Sequence, residues 1–160
     1  MSQCTFTTFE LEDHLYGIDI RYIREINRQL ELSPVPHAPE YICGLINLRG
    51  QIVTVIDLKR RLGFKTACLT ENTHNLIIKT EHEMLNSADR EELLQDFTIT
   101  DKVGLLVDQI GDIVSVERDT ISPPPANTSK LDGSYVTGVV PLKNTLLTIL
   151  SMPTILKGVN

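Results

Sequence analysis

Most apolar residues of this chain lie in short runs that are rich in β-branched side chains or alternate with polar residues. Runs of this length and composition are typical of β-strands, because a strand places successive side chains on opposite faces of a sheet. The pattern predicts strands over residues 5–10, 15–20, 42–48, 52–56, 76–79, 103–107 and 146–150. The chain is therefore expected to be mainly β, with short helices.

Two of these strands enclose the tetrapeptide Asn47-Leu48-Arg49-Gly50. An Arg-Gly pair between two strands predicts a tight turn in which Gly50 supplies the positive φ angle. The side chain of Arg49 is then expected at an exposed hairpin tip.

Three short helices are predicted beside the strands. Asp57 ends one strand and is suited to cap a helix over residues 58–62. Ser151 has the same position before a second helix near the end of the chain. The third helix is expected over residues 86–97, inside an acidic stretch.

The segment 33–63 returns in degenerate form as residues 122–158. Tyr41, Gly44, Thr54 and Leu62 recur at an offset of 94 as Tyr135, Gly138, Thr148 and Leu156. Upstream, Gly17, Ile23, Glu25 and Ile26 find Gly104, Ile110, Asp112 and Ile113 at an offset of 87. A repeat of this length predicts two pseudo-equivalent β units packed together, since one copy alone would bury too little surface. We expect the first unit over residues 15–79 and the second over 103–150, with a terminal strand crossing between them.

The formal net charge of −6 is concentrated in one segment. Residues 81–101 contain seven carboxylates and one base, Arg90, so the rest of the chain sums to zero. We interpret residues 80–101 as a solvated acidic insertion that projects from the surface. The acidic balance and the lack of a basic stripe argue against a nucleic-acid partner.

The chain also lacks the marks of a membrane or secreted protein. No apolar run approaches the roughly 20 residues of a membrane span, and the first residues have neither a basic flank nor a long apolar core. Cys4, Cys43 and Cys68 show no metal-site or disulfide spacing. We expect reduced thiols and a cytoplasmic protein.

Residue patterns typical of catalysis are few. The four histidines are scattered, and the chain has neither a glycine-rich phosphate loop nor a nucleophile elbow. Glu25 and Asp112 occupy matching places in the two copies, so a small β-barrel enzyme that uses either carboxylate stays open as an alternative. A barrel-type nucleic-acid binder ranks last, because aromatic residues make up 5% of the chain and Trp is absent.

One set of motifs resembles the CheW-like adaptor family of bacterial chemosensory arrays. Its central part reads Val35-Pro36-His37-Ala38-Pro39, then Tyr41-Ile42-Cys43-Gly44-Leu45-Ile46-Asn47-Leu48-Arg49-Gly50, then Val55-Ile56-Asp57-Leu58. Weaker similarity continues upstream at residues 16–26 and downstream at 103–113, so the resemblance runs from about residue 6 to 156.

The resemblance implies two five-stranded SH3-like barrels with no catalytic site, no cofactor and no metal. It implies a free-standing adaptor that links the cytoplasmic tip of a methyl-accepting chemoreceptor to the regulatory domain of a histidine autokinase, in arrays at the inner membrane. By position, the kinase-facing contacts fall on Ile23, Glu25 and Gly44, and the receptor-coupling position is Arg49. Flagellar chemotaxis and a pilus-type or other chemosensory pathway both remain open.

Overall fold

The computed structural model describes residues 2–28, 31–65, 73–84, 88–94, 99–125 and 133–159. Within these ranges, ten strands form two five-stranded sheets, which confirms the mainly β prediction. The first sheet contains β3 (Ile23–Arg28), β4 (Ile42–Leu48), β5 (Gln51–Asp57), β6 (His74–Ile78) and β7 (Val103–Val107). The second contains β1 (Gln3–Leu11), β2 (His14–Asp19), β8 (Gln109–Glu117), β9 (Val136–Pro141) and β10 (Leu146–Leu150).

The described residues also form three short α-helices: α1 (Leu58–Arg61), α2 (Arg90–Leu94) and α3 (Met152–Leu156). The Asp57 side chain accepts a hydrogen bond from the Arg60 N–H, and that of Ser151 accepts one from the Thr154 N–H. Both side chains satisfy a backbone donor in the first helical turn. The two predicted N-caps are therefore confirmed.

The two sheets have the same architecture. The first is ordered β3-β6-β7-β5-β4 and the second β8-β1-β2-β10-β9, with a parallel pair at the same place in each. The registers agree as well. Gly44 lies opposite Val55, and the residues equivalent to these two at the offset of 94, Gly138 and Ile149, also lie opposite each other. Residues that match at the two sequence offsets thus have equivalent positions, and the duplication is present in the fold.

Each sheet closes on itself through the segment that follows an edge strand. Ser33, after β3, exchanges two backbone hydrogen bonds of 2.8 Å with Leu45 on β4. Ser122, after β8, makes the equivalent pair with Val139 on β9, at 2.9 and 2.8 Å. We call the closed sheets the first barrel (β3 to β7) and the second barrel (β1, β2 and β8 to β10).

The N-terminal strand β1 lies in the second barrel, so the expected crossing of a terminal strand is confirmed, but the barrels do not follow the predicted halves of 15–79 and 103–150. β2 is the central strand of the second barrel, and β7 is the central strand of the first. Each repeat therefore contributes its first two strands to the barrel that is completed by the last three strands of the other repeat. β7 is buried along its whole length and needs a strand on each side, which β5 and β6 provide. A sequence offset identifies equivalent residues but carries no information about which sheet they join.

The described part of the acidic segment 80–101 packs on the core, so the expectation of a projecting insertion is corrected. Four of its apolar residues are buried: Met84, Leu93, Leu94 and Ile99. The Tyr22 hydroxyl donates a hydrogen bond of 2.6 Å to the Leu93 carbonyl. The few apolar residues of this segment gave a weak signal in the sequence, yet they reach one common core. The expected helix ends, at residues 86–87 and 95–97, lie outside the described residues.

The larger apolar core contains residues of both barrels and of all three helices, and a smaller one fills the second barrel. Two cations of α1 also connect the barrels. Arg61 donates hydrogen bonds to the carbonyls of Ile155, at 2.8 Å, and Lys157, at 2.6 Å, where α3 ends. Lys59 lies 3.1 Å from Glu12 in the β1–β2 turn and 3.4 Å from Asp108 after β7. The two barrels thus share an apolar core, hydrogen bonds and ion pairs.

Candidate partner-binding surfaces

Arg49 and Gly50 form the two-residue turn of the β4–β5 hairpin, because Leu48 pairs with Gln51. Their φ angles are +52° and +85°, so both turn residues have positive φ, as in a type I′ turn. The Asn47 side chain accepts a hydrogen bond of 2.8 Å from the Gly50 N–H. These constraints fix the direction in which the Arg49 side chain leaves the hairpin.

The Arg49 guanidinium forms an ion pair with the Glu25 carboxylate on β3. β3 and β4 are the two edges of the first sheet, so the pair spans the line along which the first barrel closes. The Arg49 side chain is nevertheless 60% exposed, compared with 26% for Glu25. The structure therefore brings together two of the four predicted site residues and leaves the guanidinium accessible to a partner.

Ile23 and Gly44 are positioned differently from this pair. Ile23 is buried in the core shared by the barrels. Gly44 is buried on β4 at a φ angle of +151°, and a Cβ atom at this position would lie 2.5 Å from the Ser33 carbonyl oxygen. Gly44 thus permits the close backbone approach that closes the first barrel.

Exposed apolar side chains form a pattern that the sequence analysis missed. Ile26, Val35, Ile52, Ile113 and Leu146 are the large apolar residues exposed in the described part of the chain. Ile26 and Ile113 are related by the offset of 87, and Ile52 and Leu146 by the offset of 94. Each barrel therefore presents an isoleucine on an edge strand and an aliphatic residue just after its hairpin turn. The offsets could have revealed these residues, had they been combined with the inward and outward alternation of the strands.

The charged pair of the first barrel also has a counterpart. The offsets relate Glu25 to Asp112 on β8 and Arg49 to Lys143 in the β9–β10 turn. Asp112 and Lys143 are exposed, and no ion pair joins them among the residues that the structure describes. We define the first surface as Glu25, Ile26, Arg49 and Ile52, and the second surface as Asp112, Ile113, Lys143 and Leu146. The two surfaces have the same chemistry, but only the first contains an internal ion pair.

Helix α2 is held by ion pairs with two arginines. Arg21 lies 2.7 Å from Asp19, 3.0 Å from Asp89 and 3.0 Å from Glu92. Arg118, just after β8, lies 3.1 Å from Glu92. The hydrogen bonds from Arg21 and Arg118 lower the pKa of Glu92 below its usual value of 4.5. We call Arg21, Asp89, Glu92 and Arg118 the α2 clasp.

The side chains that could carry catalysis are not assembled into a site. Glu25 and Asp112 lie on edge strands of different sheets, so the structure does not bring these two carboxylates together. Burial, with a smaller effect of the Asp57 charge, raises the pKa of the Cys43 thiol to about 12, which disfavours the nucleophilic thiolate. No cluster of metal-binding side chains occurs in the described ranges. No helix there is long and apolar enough to cross a bilayer.

Comparisons with known proteins agree with this architecture. Residues 5–160 match the family model of the CheW-like domain. The chain is 29% identical over 154 residues to the chemotaxis protein CheW of Treponema pallidum, covering 94% of this chain and 80% of that protein. It is 28% identical over 141 residues to the chemotaxis protein CheW of Bacillus subtilis, covering 88% and 79% of the two chains.

A solved structure shows the same fold. The crystal structure of the scaffolding protein TtCheW from Thermoanaerobacter tengcongensis has a TM-score of 0.75 and 26% sequence identity to this chain. The alignment covers 95% of this chain and 86% of that one. The family consists of non-catalytic scaffolds, which argues against the alternative of a β-barrel enzyme. With the family model matched over nearly its whole length, this chain belongs to the CheW-like family of chemotaxis adaptors.

Proposed function

We propose that this adaptor couples the cytoplasmic tip of a methyl-accepting chemoreceptor to the regulatory domain of a chemosensory histidine autokinase. It acts in the cytoplasm and is recruited to receptor arrays at the inner membrane. The proposal rests on family membership together with the two similar surfaces of the molecule. An adaptor must hold at least two partners in a fixed relative position, and two barrels with a common core provide such a body.

The observation that carries the proposal is the repeated surface chemistry. Exposed aliphatic side chains in soluble proteins become significant when they cluster with charged groups that can orient a partner. Here Ile26 and Ile52 of the first barrel are exposed at the same positions as Ile113 and Leu146 of the second. The matching exposure gives each barrel an aliphatic surface that a partner can cover.

The first barrel is assigned the contacts carried over from the family. The kinase regulatory domain is proposed to bind around Ile23, Glu25 and Gly44, and the receptor tip is proposed to engage Arg49. The geometry supports a direct role for Glu25 and Arg49, which are accessible. Ile23 and Gly44 are buried, so their proposed contribution is to position β3 and β4.

The experiment measures binding of a soluble receptor-tip fragment and of the isolated kinase regulatory domain to purified protein. Arg49→Ala should weaken receptor binding by about thirtyfold, as expected when a charged interface anchor is removed. Lys157→Ala removes one exposed positive charge at the end of α3 and serves as the matched control. Unaltered binding of both partners by a folded Arg49→Ala variant would contradict the assignment of Arg49.

The same binding assay can assign the pathway. Receptor and kinase pairs from each chemosensory system of the source organism are tested in parallel. The pair that forms a three-component complex with this adaptor identifies the system it serves. Failure of every pair to form such a complex would overturn the proposed coupling function.

A further inference from the structure

Two asparagines face each other inside the first barrel. Asn27 on β3 is the register partner of Asn75 on β6. Asn75 is completely buried, and neither its Nδ2 nor its Oδ1 atom has a hydrogen-bond partner among the residues that the structure describes. The Nδ2 atom of Asn27 is buried in the same unpartnered state. Three amide atoms that normally form hydrogen bonds thus lie together in the barrel interior.

The fold itself does not require polar side chains at these two positions. The offset of 87 relates Asn27 to Val114, and the matching registers of β6 and β1 relate Asn75 to Phe6. Phe6 and Val114 are also register partners, on β1 and β8. Phe6 belongs to the apolar core that fills the second barrel, and the partly buried Val114 packs against that core. The same cross-strand pair is therefore apolar in one barrel and polar in the other.

Apolar side chains lie on the side of the Asn75 amide that faces Gly104. A Cβ atom built on Gly104 would lie 3.5 Å from the Asn75 Oδ1 atom, 3.2 Å from Ile77 and 3.6 Å from Val53. The side chains of Ile77 and Val53 are fully buried and have no hydrogen-bonding groups. A buried amide in such a site is unfavourable unless another polar molecule completes its hydrogen bonds.

We propose that the first barrel binds an ordered water molecule between Asn27 and Asn75. The water donates a hydrogen bond to Asn75 Oδ1 and accepts hydrogen bonds from the Nδ2 groups of Asn75 and Asn27. Buried waters typically make two to four such bonds to otherwise unsatisfied groups, and this site offers three. Because Asn75 and the Asn27 Nδ2 atom are buried, the site is distinct from the partner-binding surfaces and independent of the proposed coupling function.

A high-resolution crystal structure of the unmodified protein tests the site directly. The expected result is a water peak at roughly 2.7–3.2 Å from Asn75 Oδ1 and from both Nδ2 atoms. In solution, the side-chain amide protons of Asn75 should show cross-relaxation with a long-lived water in ¹⁵N-edited NMR spectra. A direct amide–amide hydrogen bond with no water peak, or the absence of the NMR contact, would overturn the proposal.

Two variants provide a second test through the melting temperature. Asn75→Leu alone removes the two hydrogen bonds between the water and Asn75 and leaves the Asn27 amide without a polar neighbour. The Tm should therefore fall by about 3 °C or more. Adding Asn27→Val removes the remaining polar group and recreates the apolar pairing of the second barrel, so the double variant should melt above the single one. A Tm of Asn75→Leu alone that equals or exceeds that of the double variant would overturn the proposal.

Discussion

The backbone conformation of Arg49, with its positive φ angle, fixes the direction of the side chain. The Arg49 guanidinium also forms an ion pair with Glu25 of the same chain. The pair lies at the surface, and exposed ion pairs contribute roughly 0–1 kcal/mol to stability. The contribution of this ion pair to the free energy of unfolding is therefore small. A larger effect on partner binding would have to come from contacts that these side chains make with the partner.

A charge exchange separates these two contributions. Glu25→Arg combined with Arg49→Glu restores an intramolecular ion pair of reversed direction, so the Tm should stay within about 3 °C of the parent. Receptor binding should remain at least about tenfold weaker, because the carboxylate at the turn would repel the partner group that Arg49 attracts. Paired measurements of Tm and receptor affinity on both single variants and the double variant give the result. Recovery of full affinity in the double variant would show that only the internal pair matters.

Gly44 is expected to act through folding. Gly44→Ala adds a Cβ atom 2.5 Å from the Ser33 carbonyl oxygen at a φ angle that disfavours side chains. We expect the free energy of unfolding to fall by roughly 3 kcal/mol or more, at the upper end of single-residue effects. Denaturant unfolding measures this loss.

Gly50→Ala is the matched control, since Gly50 also has a positive φ angle but no atom near its would-be Cβ. In Gly50→Ala, the free energy of unfolding should fall by only about 1 kcal/mol, the cost of a side chain at positive φ. Equal losses for the two variants would exclude the clash with Ser33 as the cause.

At the scale of elements, helix α2 is an integral part of the core. Leu93 is almost completely buried in the core that both barrels share, and its carbonyl accepts the hydrogen bond from Tyr22. Leu93→Ala should therefore lower the free energy of unfolding by about 2–5 kcal/mol. Glu91→Ala, on the exposed side of the same helix, should change it by less than about 0.5 kcal/mol. Similar small effects of both changes in urea unfolding would show that α2 does not pack as described.

The α2 clasp predicts a specific pH dependence. The folded state lowers the pKa of Glu92, so this carboxylate contributes stability above its unfolded pKa and loses it as the pH falls through the folded pKa. The Tm of the parent should exceed that of Glu92→Gln at pH 7, and the difference should shrink as the pH is lowered below about 4.5. Glu91→Gln serves as the control for the loss of one charge. A difference that persists unchanged at pH 3 would exclude the ionised clasp as its origin.

The predictability of the strands depended on how continuous their apolar runs are. β4, β7 and β10 were predicted with their observed bounds because their apolar runs are nearly continuous. β3, β8 and β9 were absent from the predicted strands. All three are edge strands in which exposed residues interrupt the apolar pattern, so their signal in the sequence is weak. The position of Arg49 at a hairpin tip was predicted, whereas its contact with Glu25 depends on how the barrel closes.

At the scale of the whole molecule, the repeat and the crossing of a terminal strand could be predicted, but the exchange of β2 and β7 between the barrels could not. Gly17 and Gly104 match at an offset of 87, yet each lies in the barrel completed by the other copy. Contacts between segments that are distant in the sequence decide which sheet a central strand joins. A local sequence pattern does not encode these contacts. The exchange means that neither half of the sequence can complete a barrel alone.

The second surface should also contribute to assembly, in addition to the contacts proposed for the first barrel. Leu146→Lys places a charge at its exposed aliphatic position without touching the core, so the Tm should change by less than about 2 °C. Assembly with receptor and kinase should weaken by about tenfold or more, because the interface would have to bury an unpaired ammonium group. Lys157→Glu, just after α3, controls for a charge change elsewhere on the surface. An unaffected assembly would restrict the functional surface to the first barrel.

Simultaneous binding is the property that distinguishes an adaptor from a protein with one shared site. The most direct measurement immobilises the receptor tip and asks whether the kinase regulatory domain is retained with and without this chain. Retention only when the adaptor is present, increasing to a plateau with one kinase domain per adaptor, is the predicted result. If each partner binds alone but displaces the other, the contacts at Glu25 and Arg49 form one competitive site and the coupling role is contradicted.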